Sequence, residues 1–418
     1  YERYLRDDGK LDPRVTHAFT LDVDVHGTVR KSVALAYPRR IDPVDEDYAA
    51  QQQLAVTLTE TDVLHLAGDP HGYRLGIPIE TRTYEIHWLA PPAAGVFSFE
   101  DIALIDPPGS PAPPREYEAW PPDENEPPPS RPQKRLIERV CVRYYDSEGL
   151  PSPMPPGTAD VRALPYESYQ LALTPGQIAT KLNADQERVT PAILAEGGYV
   201  ELQDQVGWWI PSGRQVFDPT RFFLPTSVID PWGATVTVEY DAHALLVTRT
   251  EDALGNQVTI ENDYRTLSPV LITDPNGNRS AVRLDELGMV VATAVMGKAG
   301  STDGDTLDDP TTTIEVDLFR FQTTGKPNRV RTRAREAHGD PATRWQESYS
   351  YSDGSGREVM RKVQAEPGLA PVLDADGHLV LDQDGAPLLA PAMPRWVGTG
   401  RTVFDNKGNP IKQYEPYF

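Results

Sequence analysis

The chain has 418 residues, with 62 Asp and Glu against 40 Lys and Arg, for a net charge of −22. That balance repels phosphate backbones, and Arg39-Arg40 and Lys134-Arg135 are isolated pairs on a solvated surface, so no nucleic-acid interface is expected. A single cysteine, Cys141, excludes an intrachain disulfide framework, and no apolar run approaches the ~20 residues of a membrane helix.

The 41 prolines and 31 glycines cut the chain into short segments and exclude long helices over most of its length. A prior of roughly 150 residues per domain allows two or three domains, or one large β architecture. The chain opens on Tyr1-Glu-Arg-Tyr-Leu-Arg, without an initiating Met or the apolar core of a signal peptide, and is expected to begin inside a longer protein.

In chain order, Ala18 to Val25 and Thr28 to Tyr37 both alternate apolar and polar residues around the His26-Gly27 turn, which predicts a hairpin. Leu54 to Thr59 and Thr81 to Trp88 read as further strands, and Asp45 to Gln53 as a short helix. Asp106 to Gln133 carries Pro107-Pro108, Pro113-Pro114 and Pro127-Pro-Pro129 among acidic residues, and is expected to be an extended, solvent-facing loop. Val140-Cys141-Val142 reads as a strand with a buried, inert thiol. Two helices are predicted, Thr174 to Leu182 and Thr190 to Glu196, each with Thr at the N-cap and Pro in the first turn. Trp208-Trp209 could stack on a sugar, but packing at a strand end is the plainer reading.

A repeat follows. Asp230-Pro-Trp-Gly233, Asp252-Ala-Leu-Gly255 and Asp274-Pro-Asn-Gly277 share the form Asp-x-x-Gly, and their glycines are spaced by 22 residues. Asp241, Asp263 and Asp285 keep the same spacing in a second phase. Asp accepts backbone N–H groups at a turn start and Gly supplies positive φ. Each unit therefore holds two strands, and stacked hairpins satisfy one another's ladders. Tyr349-Ser-Tyr351-Ser-Asp353-Gly-Ser-Gly356-Arg357 and Asp405-Asn-Lys-Gly408 extend the pattern. Asp376-Gly377 and Asp384-Gly385, flanking Leu379 to Leu381, suggest an inserted hairpin.

Enzyme signatures are absent. The eight histidines are scattered, with His65 and His71 the closest pair, and there is no H-x-x-x-H, G-x-S-x-G, P-loop or G-x-G-x-x-G. Asp303-Gly-Asp305 with Asp308-Asp309, and Asp374-Ala-Asp376-Gly377, lack the full calcium-loop spacing and read as surface turns. No catalytic residue, metal or cofactor is expected. The acidic excess reads as solubility rather than as a lining for a basic passenger.

The Asp-x-x-Gly and Tyr-x-Tyr units resemble RHS/YD repeats. Thr16-His17 with Tyr37-Pro-Arg-Arg40, Ile79 to Glu85, Leu164 to Thr174, Gly207 to Arg214, Arg221 to Pro225 and Arg395 to Gly400 resemble the middle region of the B component of insecticidal toxin complexes (TcB, TcdB/SpvB-like). The resemblance implies a mainly β fold: antiparallel hairpin repeats in a large curved shell, with a few short helices. It implies a secreted, non-catalytic wall segment enclosing a cytotoxic passenger. Its partners would be the C component (TcC, an RHS protein), that passenger and, through the rest of the B component, the pore-forming A component. The autoprotease of the C component has no matching motif here. The organisation expected is a β-rich segment over 1–105, the Pro- and acid-rich loop over 106–133, and a mixed segment with two short helices over 134–229. Repeats then fill 230–300, and a further RHS-like segment with an inserted hairpin fills 301–418. A carbohydrate-binding or adhesive YD-repeat module, using Trp208 and Trp209, is the alternative.

Overall fold

The computed structural model describes residues 14–39, 51–68, 70, 72–90, 92, 95–107, 109–119, 129–203, 205–383 and 385–416. The chain divides into two compact units, Tyr1–Val236 and Thr237–Phe418.

The first unit is built on an antiparallel sheet. Its strands are β1 (Thr16–Val23), β2 (Val29–Ala36), β3 (Ala55–Leu66), β4 (Arg74–His87), β5 (Pro114–Arg115), β6 (Gln133–Tyr144), β7 (Pro165–Leu173), β8 (Val200–Glu201) and β9 (Trp208–Pro211), in the order β1-β2-β3-β4-β6-β7-β9-β8. The short β5 adds to β6 in parallel. A hairpin of β10 (Arg214–Asp218) and β11 (Leu224–Ile229) follows. The predicted first hairpin is present as β1–β2, and the strands at 54–59 and 81–88 are parts of the longer β3 and β4. Most of the helix expected over Asp45 to Gln53 lies outside the described residues.

Alternation puts Val33, Leu35, Val56, Leu58 and Ile86 on one sheet face, where they form a buried cluster. A helix that sequence reading missed, α1 (Phe99–Ala103), covers it. Ser98 and Asp101 close a capping box at its start, and Ile102 is fully buried against the sheet. Helix α2 (Pro175–Gln177), continued by a π-turn over Ile178–Leu182, and helix α3 (Pro191–Glu196) stand where they are predicted, with Thr174 and Thr190 accepting the capping N–H groups. Cys141 is buried beside Tyr169 and Trp209, and burial pushes its thiol pKa up.

A row of charges crosses the same face. Lys31, Glu60, Arg82 and Arg139 are consecutive cross-strand partners on β2, β3, β4 and β6. Glu60 lies 3.4 Å from Lys31 and 3.5 Å from Arg82, and Glu80 lies 3.0 Å from Arg82 and 2.6 Å from Arg139. Asp106 seals the row. Its carboxylate is fully buried, 2.6 Å from Lys31 Nζ and 3.4 Å from Lys134 Nζ, and it accepts the Ala112 N–H at 2.6 Å. Burial pushes the Asp106 carboxyl up, but Lys31 and the Ala112 N–H outweigh it and hold the pKa below the usual range. The 106–133 segment is thus not a solvent-facing loop at its described ends, because Asp106 and Ala112 are buried and β5 joins the sheet.

The second unit is a meander. Its strands are β12 (Thr235–Tyr240, whose first two residues belong to the first unit), β13 (Val247–Glu251), β14 (Gln257–Asp263), β15 (Ser268–Thr273), β16 (Asn278–Leu284), β17 (Val290–Lys298), β18 (Thr312–Asp317), β19 (Asn328–Arg335), β20 (Trp345–Ser352), β21 (Glu358–Ala365), β22 (Gly368–Pro371), β23 (Leu389–Ala392), β24 (Arg395–Thr399), β25 (Thr402–Phe404) and β26 (Pro410–Gln413). From β12 to β21 each strand pairs antiparallel with the next, and β24 completes the sheet. A short helix, α4 (Arg320–Thr324), follows β18. The buried apolar residues described in this unit are Ala281, Ala292 and Ala294, so the sheet stands as a single layer without a core of large side chains.

The insertion between β21 and β24 is more than one hairpin. Val372 N–H donates to Leu388 O, Val380 N–H to Val372 O and Leu388 N–H to Val380 O, at 2.8, 2.9 and 2.8 Å. These three residues, eight apart in sequence, close a triangle of strands. The acceptors at its turns are Asp374 and Asp382, each three residues before its glycine, and not Asp376. Asp384 lies outside the described residues.

Asp106→Ala is expected to cost the first unit about 3 kcal/mol, by stranding Lys31 and Lys134 beside a buried void. The check is the urea midpoint of that unit's unfolding. A midpoint equal to wild type would show that Glu60 alone satisfies both ammonium groups.

Candidate functional site: the Asp-x-x-Gly turns

All five predicted turns take one form. In the Asp252 turn, Oδ1 accepts the N–H groups of Leu254 and Asn256, both at 2.9 Å. The Asp252 N–H donates to Asn256 O, and Gly255 N–H donates to Asp252 O, both at 3.0 Å. Gly255 sits at φ +83°, a conformation that disfavours any side chain. The same pattern recurs at Asp230 with Gly233, Asp274 with Gly277, Asp353 with Gly356 and Asp405 with Gly408, the glycines at φ +79° to +88°. The side-chain amides of Asn256, Asn278 and Asn409 each donate a hydrogen bond to the second carboxylate oxygen of their Asp. Amide and backbone donors hold the pKa of Asp252, Asp274 and Asp405 below the usual carboxylate range. Asp24 builds the same turn with Gly27 between β1 and β2, and its other oxygen lies 2.7 Å from His65 Nε2.

The 22-residue spacing sorts the repeat turns. Asp252 and Asp274 join β13–β14 and β15–β16 at one end of the hairpins. Asp241, Asp263 and Asp285 join β12–β13, β14–β15 and β16–β17 at the other. That second end is stitched from repeat to repeat. Tyr264 donates to Asp241 Oδ2 at 2.5 Å, and Arg265 donates to the carbonyls of Asp285 and Glu286, both at 2.8 Å. Sequence reading missed Tyr264 and Arg265, although their place directly after a repeat aspartate is a usable signal. The Tyr264 hydroxyl, with the N–H groups of the turn, lowers the Asp241 pKa from 3.8 to about 2.

Two predicted turns meet. Asp353 and Asp405 line one hollow of about 760 Å³, together with Tyr351, Arg357 and Phe404. Arg357 lies 2.6 Å from the Asp353 carboxylate, and its guanidinium stacks 4.4 Å over the Phe404 ring. The other predicted turns are separate from this hollow.

Asp305 is not the surface turn expected of it. It is buried, and it accepts from Thr311 Oγ1 at 2.5 Å and Arg335 Nη1 at 3.0 Å, with His338 Nδ1 at 2.6 Å. Arg335 also pairs with Asp309 and lies 5.3 Å from the Trp345 ring. Asp374, Asp376 and His378 can bring ligand atoms within 4.8 Å of one another, but all three are exposed and Asp374 Oδ1 already accepts two N–H groups. The tryptophan pair makes no platform, because Trp209 is fully buried while Trp208 is half-buried. The two indoles therefore do not share one exposed face. Chemically, the turns are fixed acceptors whose lone pairs are used by the backbone, which suits them to setting strand register.

Gly255→Ala should cost about 1–2 kcal/mol, because no atom crowds a Cβ there and only the left-handed backbone is strained. Gly255→Asn should cost less. Gly213→Ala should cost more than either, since its Cβ would meet Ile229 O at 2.4 Å. Chemical denaturation of the three variants orders them, and equal losses would contradict this account. The Asp241 carboxyl is depressed in the folded chain, so its stabilisation is complete above the ordinary value of 3.8 and is lost as the pH falls towards 2. The difference in thermal midpoint between wild type and Asp241→Asn should therefore narrow from about pH 5 to about pH 2. A constant difference would show that the Tyr264 contact does not depend on ionisation.

Residues 1–77 match the family model for the insecticide toxin TcdB middle/C-terminal region. No curated protein matches the chain by sequence. Among solved structures, the chain is similar to a TcdB2–TccC3 crystal structure at 21% identity and TM-score 0.52, covering 97% of this chain and 20% of that one. A TcdB2–TccC3–Cdc42 structure gives 20% identity and TM-score 0.52, with 97% and 23% covered. The Tc holotoxin pore of Photorhabdus luminescens gives 20% identity and TM-score 0.53, with 97% and 22% covered. The chain thus spans about a fifth of the length of the chains it matches. The family match at its start and the fold along its length make the chain similar to the TcdB-type proteins of insecticidal toxin complexes.

Proposed function

We propose that this chain is a non-catalytic wall segment of a toxin-complex B component, and that its RHS/YD-type hairpins form part of a secreted hollow shell around a cytotoxic passenger. The observation that carries the reading is the single-layer meander of the second unit. A globular enzyme domain buries a core of large apolar side chains, whereas the apolar side chains this unit buries among its described residues are three alanines. Both faces are left partly open, which suits a wall with solvent outside and a lumen inside. The edge-to-edge order of the strands suits a strip that lengthens by adding hairpins.

The partners follow from the same reading. A C-type RHS chain would continue the wall and supply the passenger, and the A component would be engaged through other parts of the B component. The structures that this chain resembles include TcdB2 with TccC3 and a Tc holotoxin pore, which supports both partnerships. The repeat aspartates Asp252, Asp274, Asp353 and Asp405 act as register pins, without a catalytic role.

Co-expression of the chain within its parent B component with a matching C component, followed by electron microscopy, tests the proposal. The expected product is a closed hollow particle whose wall contains the second unit's strands. A compact solid particle, or failure of the two components to associate, would sink it.

A further inference from the structure

We infer that the hollow beside the Asp353 and Asp405 turns is a binding site for a small organic molecule carrying a multivalent oxyanion. Charge sets this hollow apart. In a chain of net charge −22, Arg320, Lys326, Arg357, Lys362 and Arg401 all line this one hollow, against two carboxylates. Both carboxylates are already engaged. Asp353 holds Arg357 at 2.6 Å, and Asp405 accepts the N–H groups of Lys407 and Asn409 and the Asn409 side-chain amide.

Arg320 has Asp317 at 3.7 Å. Lys326, Lys362 and Arg401 form no salt bridge among the described residues. Three unpaired cations around one concavity repel one another, and the arrangement is relieved when an anion enters. Arg401 lies 5.0 Å from the Tyr414 ring, so stacking limits the freedom of its guanidinium before any ligand arrives. A guanidinium offers a fork of donors to a phosphate or carboxylate, and the lysines add mobile point charges.

The size and lining give the ligand class. About 760 Å³ far exceeds a bare oxyanion and falls within the range of small-molecule sites. Val359, Met360, Val403, Phe404 and the Tyr351 ring supply an apolar side on which an organic body can rest. The ligand therefore has a charged end of two or more negative charges and a carbon framework. Phosphate and carboxylate sources share this chemistry.

The full chain is titrated by calorimetry with sodium tripolyphosphate and, separately, with citrate, at about 50 mM and about 300 mM salt. At least one of the two probes is expected to bind saturably, more weakly at the higher salt. The Lys326→Gln, Lys362→Gln, Arg401→Gln triple variant should lose about 30-fold or more in affinity, since each tenfold corresponds to about 1.4 kcal/mol. It should keep the wild-type circular dichroism spectrum, because none of the three holds an ion pair, and Lys298→Gln, away from the hollow, should bind as wild type. Binding of tripolyphosphate alone identifies a phosphate ligand, and binding of citrate alone a carboxylate. No saturable binding of either probe, or binding that the folded triple variant retains, would overturn the inference. The measurement needs no partner chain, so it stands or falls separately from shell assembly.

Discussion

An aspartate carboxylate that accepts two backbone N–H groups, followed by a glycine at positive φ, reverses the chain at repeated points in this protein. The interaction matters because of what the second unit lacks. Side chains alternate faces along a strand, so a slip of one residue would exchange the two faces of the sheet. Burial normally forbids such a slip by driving apolar residues to one side. In a single-layer meander, whose only buried apolar side chains among its described residues are Ala281, Ala292 and Ala294, that force is weak. The turns supply the constraint instead. Each one fixes which residues face each other across the hairpin, and Tyr264 and Arg265 carry the register from one repeat to the next.

The first unit solves the same problem by other means. Val33, Leu35, Val56 and Leu58 bury a true core, and burial sets the register of β2 and β3. On the same face, the row through Lys31, Glu60, Arg82 and Arg139 is tolerated because every charge meets an opposite one. Asp106 is the point where the covering segment meets that row, which ties the Pro-rich connection to the sheet through charge as well as apolar contact. Stability in this unit thus rests on long-range contacts, and in the second unit more on local ones.

A unit held by turns and ladders can present two open faces, and its ends can accept further hairpins. The price is specificity of pairing, which the repeated aspartates restore. The same geometry also collects charge, because turns at neighbouring strand ends bring their flanking residues together. That is how Asp353 and Asp405, 52 residues apart, come to border a single cation-lined hollow.

Several features were legible in the residues themselves. The 22-residue spacing, the five Asp-x-x-Gly turns, the β1–β2 hairpin and the caps at Thr174 and Thr190 are local, since turn chemistry and alternation act over a few residues. Others required the tertiary structure. Asp106 and Asp305 look like surface acids in sequence, yet both are buried, because their cationic partners Lys31, Lys134 and Arg335 arrive from distant strands. Trp208 and Trp209 are adjacent in sequence but differ in exposure, because successive residues of a strand point to opposite faces. The triangle of Val372, Val380 and Leu388 is visible as an eight-residue spacing only once its hydrogen bonds are known. Local pattern thus determined where the chain turns and which stretches extend. The fate of each buried charge was decided by strand order, because a carboxylate's environment depends on groups that the sequence places tens of residues away.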